Sequence, residues 1–525
     1  MTSTIRKREE PAHPPTRRRH LLSRALSGIL AAAVVLGVGE LIAVLVAPAA
    51  APFLAVGSTA VDRTPAWARE FAIHTFGTND KPALFVGMAL LIVAIAAVAG
   101  IAERTRGPIG SLILGILGVV GASAALARPG ATLVYAVPTV VGTVAGIAVL
   151  RILTGAARDP VATNDAVVYS RRRFLVLATT ATAVAAAGAA SARYLGQQLA
   201  GALENRLGFR IPAVAAADRA AAIDAGTDVG VPGLTPFVTS NTDFYRIDTA
   251  LRVPQLTTDQ WRLRIHGMVA RELTLTWDDL VARTPIERVI TLTCVSNEVG
   301  GNLAGNATWI GYPIAPLLAE VGVSPDADML LSTSSDGFTA GTPLAVLRDG
   351  RDAMLAVAMN GEPLPFEHGY PVRQVVPGLY GFVSATKWVV DWEVTRFDGA
   401  QAYWTKRGWG QQAPIKTASR IEVPAALAPV GAGPVLVAGT AWAQHRGIAK
   451  VEVRVDDGAW NPAQLAPQYS IDTWRQWTWQ WEATPGPHVL AVRATDLDGN
   501  TQPQDRVAPI PDGATGWHTR SITVT

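Results

Sequence analysis

Four long apolar runs in the N-terminal third constrain the fold of this 525-residue chain more than any other feature. They are residues 25–46, 82–102, 108–127 and 131–153. Each is close to the roughly 20 residues that an α-helix needs to cross a bilayer. A fifth run, Phe174 to Tyr194, is richer in alanine and less apolar. The sequence therefore predicts four transmembrane helices within residues 25–153 and a fifth span within residues 154–195.

Basic residues indicate which side of the membrane each segment faces, because short cytoplasmic loops are enriched in lysine and arginine. They cluster before the first run, between the second and the third, and ahead of the fifth. The members are Arg6, Lys7, Arg8, Arg17, Arg18, Arg19, Arg24, Arg104, Arg106, Arg151, Arg158, Arg171, Arg172 and Arg173. We expect a cytoplasmic basic N-terminus at residues 1–24 and an extracytoplasmic C-terminal region. The pI of about 9.0 follows mostly from this topology, so no nucleic-acid partner is predicted.

The start of the fifth run has a second interpretation. Ser170-Arg-Arg-Arg-Phe-Leu-Val, followed by a weakly apolar alanine-rich stretch, resembles a twin-arginine export signal. That pathway is known for carrying proteins that have already folded around a cofactor. The alternative is an ordinary basic flank of a membrane helix. Because the segment is internal, we expect it to remain uncleaved.

Three regions follow the membrane part. Residues 196–235 are rich in alanine, glycine and aspartate without a sustained period, which predicts a linker. Residues 236–414 mix short strands and helices without a regular strand–helix alternation, which favours an α+β domain. Residues 415–525 alternate with period two between Asp-Gly and Pro-Gly turns, which predicts a small β-sandwich. The chain is thus predicted to be multi-domain.

A single cysteine, Cys294, is present in the whole chain. It cannot form an intramolecular disulfide, and a zinc site with two or more cysteines is excluded by the count. A buried apolar residue, a nucleophile and a single thiolate metal ligand remain open. In the oxidising compartment that the topology predicts, one unpaired cysteine requires an explanation.

Four motifs together resemble the sulfite oxidase family. They are Thr291-Leu-Thr-Cys-Val-Ser-Asn, Asn302 to Pro313, His368-Gly-Tyr-Pro-Val-Arg-Gln and Thr386-Lys-Trp. Their order and spacing are similar to the family's molybdopterin domain over residues 236–414. Residues 415–525 resemble its immunoglobulin-like dimerisation domain. The resemblance implies transmembrane helices followed by an α+β sulfite-oxidase-type molybdopterin domain and an immunoglobulin-like β-sandwich.

The resemblance also implies a molybdenum–molybdopterin cofactor, with Cys294 as the protein ligand of the metal. Arg373 is expected at the cofactor phosphate, because a guanidinium offers that group a bidentate fork. The other residues that match cofactor-contacting positions are Asn241, Tyr245, Arg246, His368, Ser384, Thr386 and Lys387. Arg246 also matches a substrate-pocket arginine, so Cys294 and Arg246 are the candidate catalytic residues.

The segment after the ligand departs from the animal sulfite oxidases. They follow this cysteine with Ala-Gly-Asn-Arg-Arg, whereas this chain has Val-Ser-Asn-Glu298-Val299, so one cation for an oxyanion is missing. We expect a membrane-anchored, extracytoplasmic oxidoreductase that transfers an oxygen atom to or from a small oxyanion or a sulfur or nitrogen compound. The alternatives are an S- or N-oxide reductase of the same family and, from another class, a cofactor-free membrane receptor or scaffold.

Electron transfer is expected to need a partner. The chain has no second cysteine for an iron–sulfur cluster or a haem attachment motif, and its eight histidines lie outside the four strongest apolar runs. The expected partners are therefore an external cytochrome or quinone-linked protein and the cell membrane, in which the chain is multi-pass. Because residues 415–525 resemble the family's dimerisation domain, a homodimer is also expected.

Overall fold

The computed structural model describes residues 17–525, except 66–67, 69–70, 72–74, 77–79, 104–106, 129–130, 157–163 and 427. The basic residues predicted to be cytoplasmic at positions 6–8, 104, 106 and 158, and most of the predicted N-terminal segment 1–24, lie outside the described residues. The chain divides into two compact units, Met1–Leu199 and Ala200–Thr525.

The first unit is helical. Its helices are α1 (Arg17–Val46), α2 (Pro52–Arg63), α3 (Asp80–Ala102), α4 (Ile109–Leu126), α5 (Val137–Ala156) and α6 (Asn164–Ala200). Five stretches of the described chain are helical and both long and apolar enough to cross a membrane: Leu21–Val46, Lys81–Ala102, Ile109–Leu126, Leu133–Gly155 and Leu175–Tyr194. The five apolar helices predicted from the sequence are therefore confirmed as helices.

Small residues allow two of these helices to touch through their backbones. A Cβ atom on Gly28 of α1 would lie 1.9 Å from the carbonyl oxygen of Ala96, and one on Gly100 of α3 would lie 2.0 Å from that of Arg24. Such close approach is typical of helix pairs in lipid, where packing replaces the hydrophobic effect between helices.

The predicted linker differs from the structure after residue 200. Residues 201–235, which include the short helix α7 (Ala202–Leu207), belong to the second unit. Arg206 donates to the carbonyl oxygens of Leu364 and Pro363, at 2.8 Å each. The carboxylate of Asp228 accepts from the main-chain nitrogen of Phe237 at 2.9 Å. Hydrogen bonds between its charged side chains and main-chain groups hold this segment in place. The composition of the segment does not reveal these bonds.

Two sheets form the α+β region. The first has the order β2-β1-β10-β5-β6, and the second has the order β3-β4-β7-β8 with β9 paired to β7. The strands are β1 (Arg262–Gly267), β2 (Leu273–Thr276), β3 (Ile286–Thr293), β4 (Ala304–Pro313), β5 (Met329–Ser334), β6 (Thr339–Pro343), β7 (Met354–Met359), β8 (Glu362–Pro363), β9 (Arg373–Val375) and β10 (Val389–Thr395). The helices are α8 (Trp277–Val281), α9 (Ile314–Val321) and α10 (Gly381–Ser384).

The local sequence explains these elements. All six residues of β7 are buried, as their uninterrupted apolar run requires of a strand covered on both faces. The α8 helix begins after Thr276, whose side chain accepts from the main-chain nitrogen of Asp279, while the Asp279 side chain bonds back to Thr276. This reciprocal capping box satisfies two N–H groups that the helix itself leaves without partners. The predicted α+β domain is confirmed.

Two further sheets form a sandwich. Their orders are β11-β13-β17-β16 and β12-β19-β18-β14-β15. The strands are β11 (Ala418–Val423), β12 (Pro429–Val430), β13 (Gly433–Trp442), β14 (Ile448–Val455), β15 (Asn461–Pro462), β16 (Gln464–Leu465), β17 (Arg475–Ala483), β18 (Gly486–Asp496) and β19 (His518–Val524). Val437, Val451, Trp477 and Leu490 are fully buried in their common core. The predicted β-sandwich is confirmed, and Trp477 and Trp481 of β17 both belong to its core.

Candidate functional site

One cavity in the second unit brings most of the predicted site residues together. Its polar lining includes Tyr245, Asp248, Cys294, Asp336, His368, Arg373 and Lys387, and its aromatic lining includes Phe244, Phe338, Phe382, Trp388 and Trp404. These side chains come from six separate stretches of the chain, so the fold rather than local sequence assembles the site.

Cys294 lies in the turn that follows β3. Its main-chain nitrogen donates to the carbonyl oxygen of Leu303 at 2.9 Å, and its own carbonyl oxygen accepts from Asn297 at 3.1 Å. The side chain is 7% exposed. Burial raises the pKa of the thiol, and hydrogen bonds from Ser296 oppose this only in part. A thiolate at this position therefore calls for a cation or a metal beside it.

Arg373, on β9, is a buried cation without a carboxylate partner among the described residues. Its side chain is 5% exposed, Nη1 donates to the carbonyl oxygen of His368 at 3.1 Å, and the guanidinium carbon lies 5.0 Å from the centre of the Trp309 ring. Nε has no hydrogen-bond partner. Burial lowers the pKa of Arg373 to about 10. An uncompensated buried charge is strongly unfavourable, so the arrangement is suited to an anion bound in the cavity.

Lys387 is the second buried cation of the cavity, and it is paired. Nζ donates to Asp248 at 2.7 Å and to the carbonyl oxygen of Glu367 at 2.9 Å. Burial lowers the pKa of Lys387 to about 8, and Asp248 opposes the shift. The next residue, Trp388, has a φ of +50°, which is unfavourable for a bulky side chain. Its indole nitrogen donates to the carbonyl oxygen of Phe366 at 2.9 Å, which helps to hold this backbone in place.

His368 and Tyr245 provide neutral groups. Burial, then Arg373 and Lys387, lower the pKa of His368 to about 4. Nε2 of this neutral ring lies 3.2 Å from the carbonyl oxygen of Asn241, so we assign its proton to Nε2. Burial, reinforced by Cys294, raises the pKa of Tyr245 far above its ordinary value, and Arg373 opposes the shift. Tyr245 therefore keeps its hydroxyl proton and can donate a hydrogen bond into the cavity.

Four predicted residues do not line this cavity. They are Asn241, Arg246, Ser384 and Thr386. The Asn241 side chain accepts from Asn360 at 2.9 Å, and Arg246 donates to Asp248 at 2.8 Å. The Ser384 hydroxyl donates to the carbonyl oxygen of Tyr380 at 3.0 Å, and the Thr386 hydroxyl is bonded to Ser332 at 2.6 Å. These side chains hold the loops that carry Tyr245, His368 and Lys387.

Sequence reasoning missed Asp248 and the aromatic wall. Asp248 stands three positions after Tyr245 but 139 positions before Lys387, so their pairing is visible only in the fold. An isolated acid beside the predicted Arg246 was the one available signal. Among the described residues, no group of three or more His, Cys, Asp or Glu side chains could hold a metal ion. A metal bound through Cys294 would thus take further ligands from a cofactor.

The comparisons with known proteins agree with this site. Residues 250–404 match the family model of the oxidoreductase molybdopterin binding domain, so the class is a molybdopterin-binding oxidoreductase. The uncharacterized oxidoreductase YuiH of Bacillus subtilis is 30% identical over 150 residues, which cover 29% of this chain and 72% of that protein. Mitochondrial sulfite oxidase of Homo sapiens is 29% identical over 343 residues, which cover 54% of this chain. The chain belongs to the sulfite oxidase family.

The coverage of these relatives is partial. The chain spans 60% of the length of the human sulfite oxidase. Among solved structures, the sulfane dehydrogenase SoxCD from Paracoccus pantotrophus is 24% identical, with a TM-score of 0.48, and the match covers 54% of this chain and 80% of that one.

Family membership implies a molybdenum–molybdopterin cofactor, and the cavity fits it in two respects. The buried, unpaired Arg373 suits the negatively charged phosphate of the cofactor. The single thiol of Cys294 on the cavity wall suits a metal whose other sulfur ligands belong to the cofactor.

Proposed function

We propose that this protein is a membrane-anchored molybdenum–molybdopterin oxidoreductase that catalyses oxygen-atom transfer outside the cytoplasm. The observation that carries the proposal is one cavity with a buried thiol and a buried, unpaired guanidinium on its wall. When bound, the cofactor supplies a redox centre that accepts or donates two electrons for each oxygen atom exchanged.

Each residue has a distinct proposed role. Cys294 holds the metal as a thiolate, Arg373 binds the cofactor phosphate and Lys387 contacts the pterin. Neutral His368 donates from Nε2 to Asn241 and leaves Nδ1 as an acceptor without adding charge. Tyr245 keeps its proton and donates a hydrogen bond to an oxygen atom in the cavity. Their burial excludes water, which strengthens each of these interactions.

Arg246 is proposed to orient an anionic group at the rim. Its guanidinium is bonded to Asp248, and its side chain is 39% exposed. The carboxylate reduces its net positive charge, so we expect a contribution to substrate attraction rather than to the chemical step. Asn241, Ser384 and Thr386 support the cofactor through the loops that they hold.

A second candidate function is the reduction of an S- or N-oxide, and two observations favour it. Glu298 and Val299 line a separate pocket with Trp442, not the cavity of Cys294, so this segment provides no cation for an oxyanion. The cavity wall instead includes Asp336, Phe338 and other aromatic side chains, which suit a neutral substrate better than a small anion. A cofactor-free receptor or scaffold is disfavoured, because nothing in that role compensates the buried charge of Arg373.

The location and partners are also proposed. The five apolar helices support a multi-pass anchor in the cell membrane, and the basic segments favour an extracytoplasmic second unit. An external cytochrome or quinone-linked protein exchanges electrons with the site. The resemblance of the sandwich favours a homodimer.

The full chain, produced in a host that makes the cofactor and purified in detergent, tests the proposal. We expect one molybdenum and one pterin per chain, and loss of the metal and of oxygen-atom transfer in Cys294→Ser. The thermal unfolding midpoints of the cofactor-free wild type and the cofactor-free variant should be equal. A wild-type protein without molybdenum and pterin refutes the function. Assays in both directions with artificial electron carriers distinguish the two candidates, because sulfite oxidation without reduction of any S- or N-oxide excludes the reductase.

Protease treatment of intact cells tests the location. A second unit that is digested only after the membrane is opened contradicts the extracytoplasmic orientation. Light scattering of the purified protein tests the dimer.

A further inference from the structure

We propose that the C-terminal sandwich positions the metal-binding thiol, through a clamp formed by Gln444, Arg420 and His518 on the two segments that flank Cys294. The inference rests on the proposed role of Cys294 as a metal ligand. It gives the sandwich a function within the active site of its own chain.

The clamp bonds the segment before Cys294. Gln444, between β13 and β14, is fully buried, and its Nε2 donates to the hydroxyl of Thr293 at 2.8 Å and to the carbonyl oxygen of Thr291 at 3.4 Å. Thr291 makes further hydrogen bonds to the sandwich. Its main-chain nitrogen donates to the carbonyl oxygen of Asp472 at 3.0 Å. Its hydroxyl accepts from the main-chain nitrogen of Trp474 at 2.8 Å. Because β3 is the edge strand of its sheet, the sandwich occupies the side that would otherwise lack partners.

The clamp also contacts the segment after Cys294. Nη1 of Arg420 donates to the carbonyl oxygen of Gly301 at 2.9 Å. The ring of His518 lies so close to Gly300 that a Cβ atom there would be 2.2 Å from Cδ2 of the histidine. The ring itself is held by the main-chain nitrogen of Ile421, which donates to Nδ1 at 2.9 Å.

Both contacts bear on the position of the thiol. Cys294 is bonded to Leu303, and Asn297 is bonded to Cys294, so the turn moves as one piece. The α+β region holds this piece through the pairing of β3 with β4. The sandwich adds anchors on either side. A metal ligand must be held to within about half an ångström of its working position, and anchoring both flanks limits its displacement.

A substitution of Gln444 can test the position of Cys294 separately from the stability of the fold. Its Oε1 is buried without a hydrogen-bond partner, which is unfavourable for folding. Gln444→Met keeps the length of the side chain and removes both this oxygen and the donor to Thr293. We therefore expect little change in the thermal unfolding midpoint but a less restrained Cys294.

The experiment uses the full chain in detergent with three isosteric variants. Gln444→Met and Thr293→Val remove the same hydrogen bond from opposite sides. Gln480→Met is the control, because Gln480 is an exposed residue of the same sandwich. Cys294 is the only thiol in the chain, so alkylation of the cofactor-free protein reports on this residue alone.

We expect Gln444→Met and Thr293→Val each to raise the alkylation rate by about fivefold, the factor that one hydrogen bond represents. The double variant should be no faster than Gln444→Met alone, because that substitution already removes the bond to Thr293. Gln480→Met should match the wild type. In the loaded protein, the two clamp variants should change the electron paramagnetic resonance spectrum of the metal and lower kcat without raising KM.

Two outcomes overturn the clamp. One is an alkylation rate and a spectrum of Gln444→Met that equal those of Gln480→Met. The other is additive effects of Gln444→Met and Thr293→Val, which would mean that they do not act through one bond. If either variant fails to fold, the other decides. Absence of molybdenum from the wild type refutes the proposed function instead, and the alkylation rates still show whether the sandwich restrains Cys294.

Discussion

Arg373 and Lys387 are both buried cations of the cavity, but within the described part of the chain only Lys387 has a carboxylate partner, Asp248. The two side chains therefore differ in their effect on folding and on cofactor binding. The charge of Lys387 is largely compensated within the protein, whereas that of Arg373 is compensated only when an anion is bound. Arg373 should therefore be unfavourable for the folding of the cofactor-free protein and favourable for cofactor binding.

The first prediction concerns Arg373→Met. We expect cofactor affinity to fall at least about tenfold, because charge-assisted hydrogen bonds to the phosphate are lost. The thermal unfolding midpoint of the cofactor-free protein should stay the same or rise, since an uncompensated buried charge is removed. Cofactor content and thermal unfolding measure the two effects. The control is Arg396→Met, which removes a half-exposed arginine paired with Asp398. A lower midpoint in Arg373→Met than in Arg396→Met would contradict the interpretation.

The second prediction concerns pH. The pKa of His368 is lowered from 6.5 to about 4 by burial, so between these values the unfolded chain binds more protons than the folded one. The contribution of His368 to the stability of the cofactor-free protein is therefore fully present above pH 6.5. It falls by about 3 kcal/mol as the pH drops towards 4. We expect His368→Gln to flatten this part of the pH profile of unfolding.

His488 provides a control of opposite sign. Its pKa is raised by a hydrogen bond to Asp456. Its stabilising contribution is therefore present at low pH and is lost as the pH rises through the folded-state pKa. His488→Gln should leave the acid-side loss of stability in place. If His368→Gln and His488→Gln give the same profile, the assignment of this loss to His368 is wrong.

The motifs made part of the site predictable at this scale. Cys294, His368, Arg373 and Lys387 are carried by short sequences that fix residue type and spacing, and all four line the cavity. The Asp248 pairing was not predictable, because contacts between distant loops leave no local pattern. The same limit applies to the aromatic wall, in which Phe338 and Trp404 are brought together by the fold.

At the scale of elements, the turn between β3 and β4 is constrained in two ways. It contains Gly300 with a φ of +80°, a region that only glycine adopts without strain. The same residue is covered by the ring of His518. Backbone conformation and packing therefore both require glycine at this position.

The third prediction is that Gly300→Ala lowers the free energy of unfolding by about 1–3 kcal/mol, the usual effect of such backbone strain, and reduces cofactor content. Unfolding by urea and metal analysis measure these effects. Gly431→Ala is the control, because an added Cβ there meets no atom within 4 Å. Adding His518→Ala to Gly300→Ala should restore part of the loss, since it removes the steric component. A Gly300→Ala protein as stable as Gly431→Ala would contradict the close contact.

Period and turn residues made the type of each region after residue 236 predictable. The period-two alternation of residues 415–525 predicts a sandwich, and its long strands β13, β14 and β18 lie there. Residues 201–235 were predicted less well, because they form few regular elements and are held by individual polar contacts such as that of Arg206. Such contacts depend on partners far away in the chain, and period-based reasoning does not detect them.

At the scale of the whole molecule, the apolar runs were the most predictable feature, since lipid allows an exposed chain few conformations besides the helix. The side of the membrane that each helix end faces depends on the charge of the loops and on the export route. The Arg171–Arg172 pair bears on that route.

The fourth prediction is that replacing Arg171 and Arg172 by lysine blocks export of the second unit. The substitutions keep the positive charge, so an ordinary basic flank should still function, whereas a twin-arginine signal should not. Protease accessibility in cells measures the outcome. Arg173→Lys is the control, because it leaves the pair intact. Normal export of the doubly substituted chain would favour the ordinary flank.

The clamp has a consequence for the order of synthesis. Gln444 follows its partner Thr293 by 151 positions, and His518 is in the last strand of the chain. A ribosome that has completed the α+β region has not yet made the residues that restrain Cys294. The thiol therefore reaches its final position only after the sandwich has been made, so we expect full metal binding to follow the synthesis of both regions.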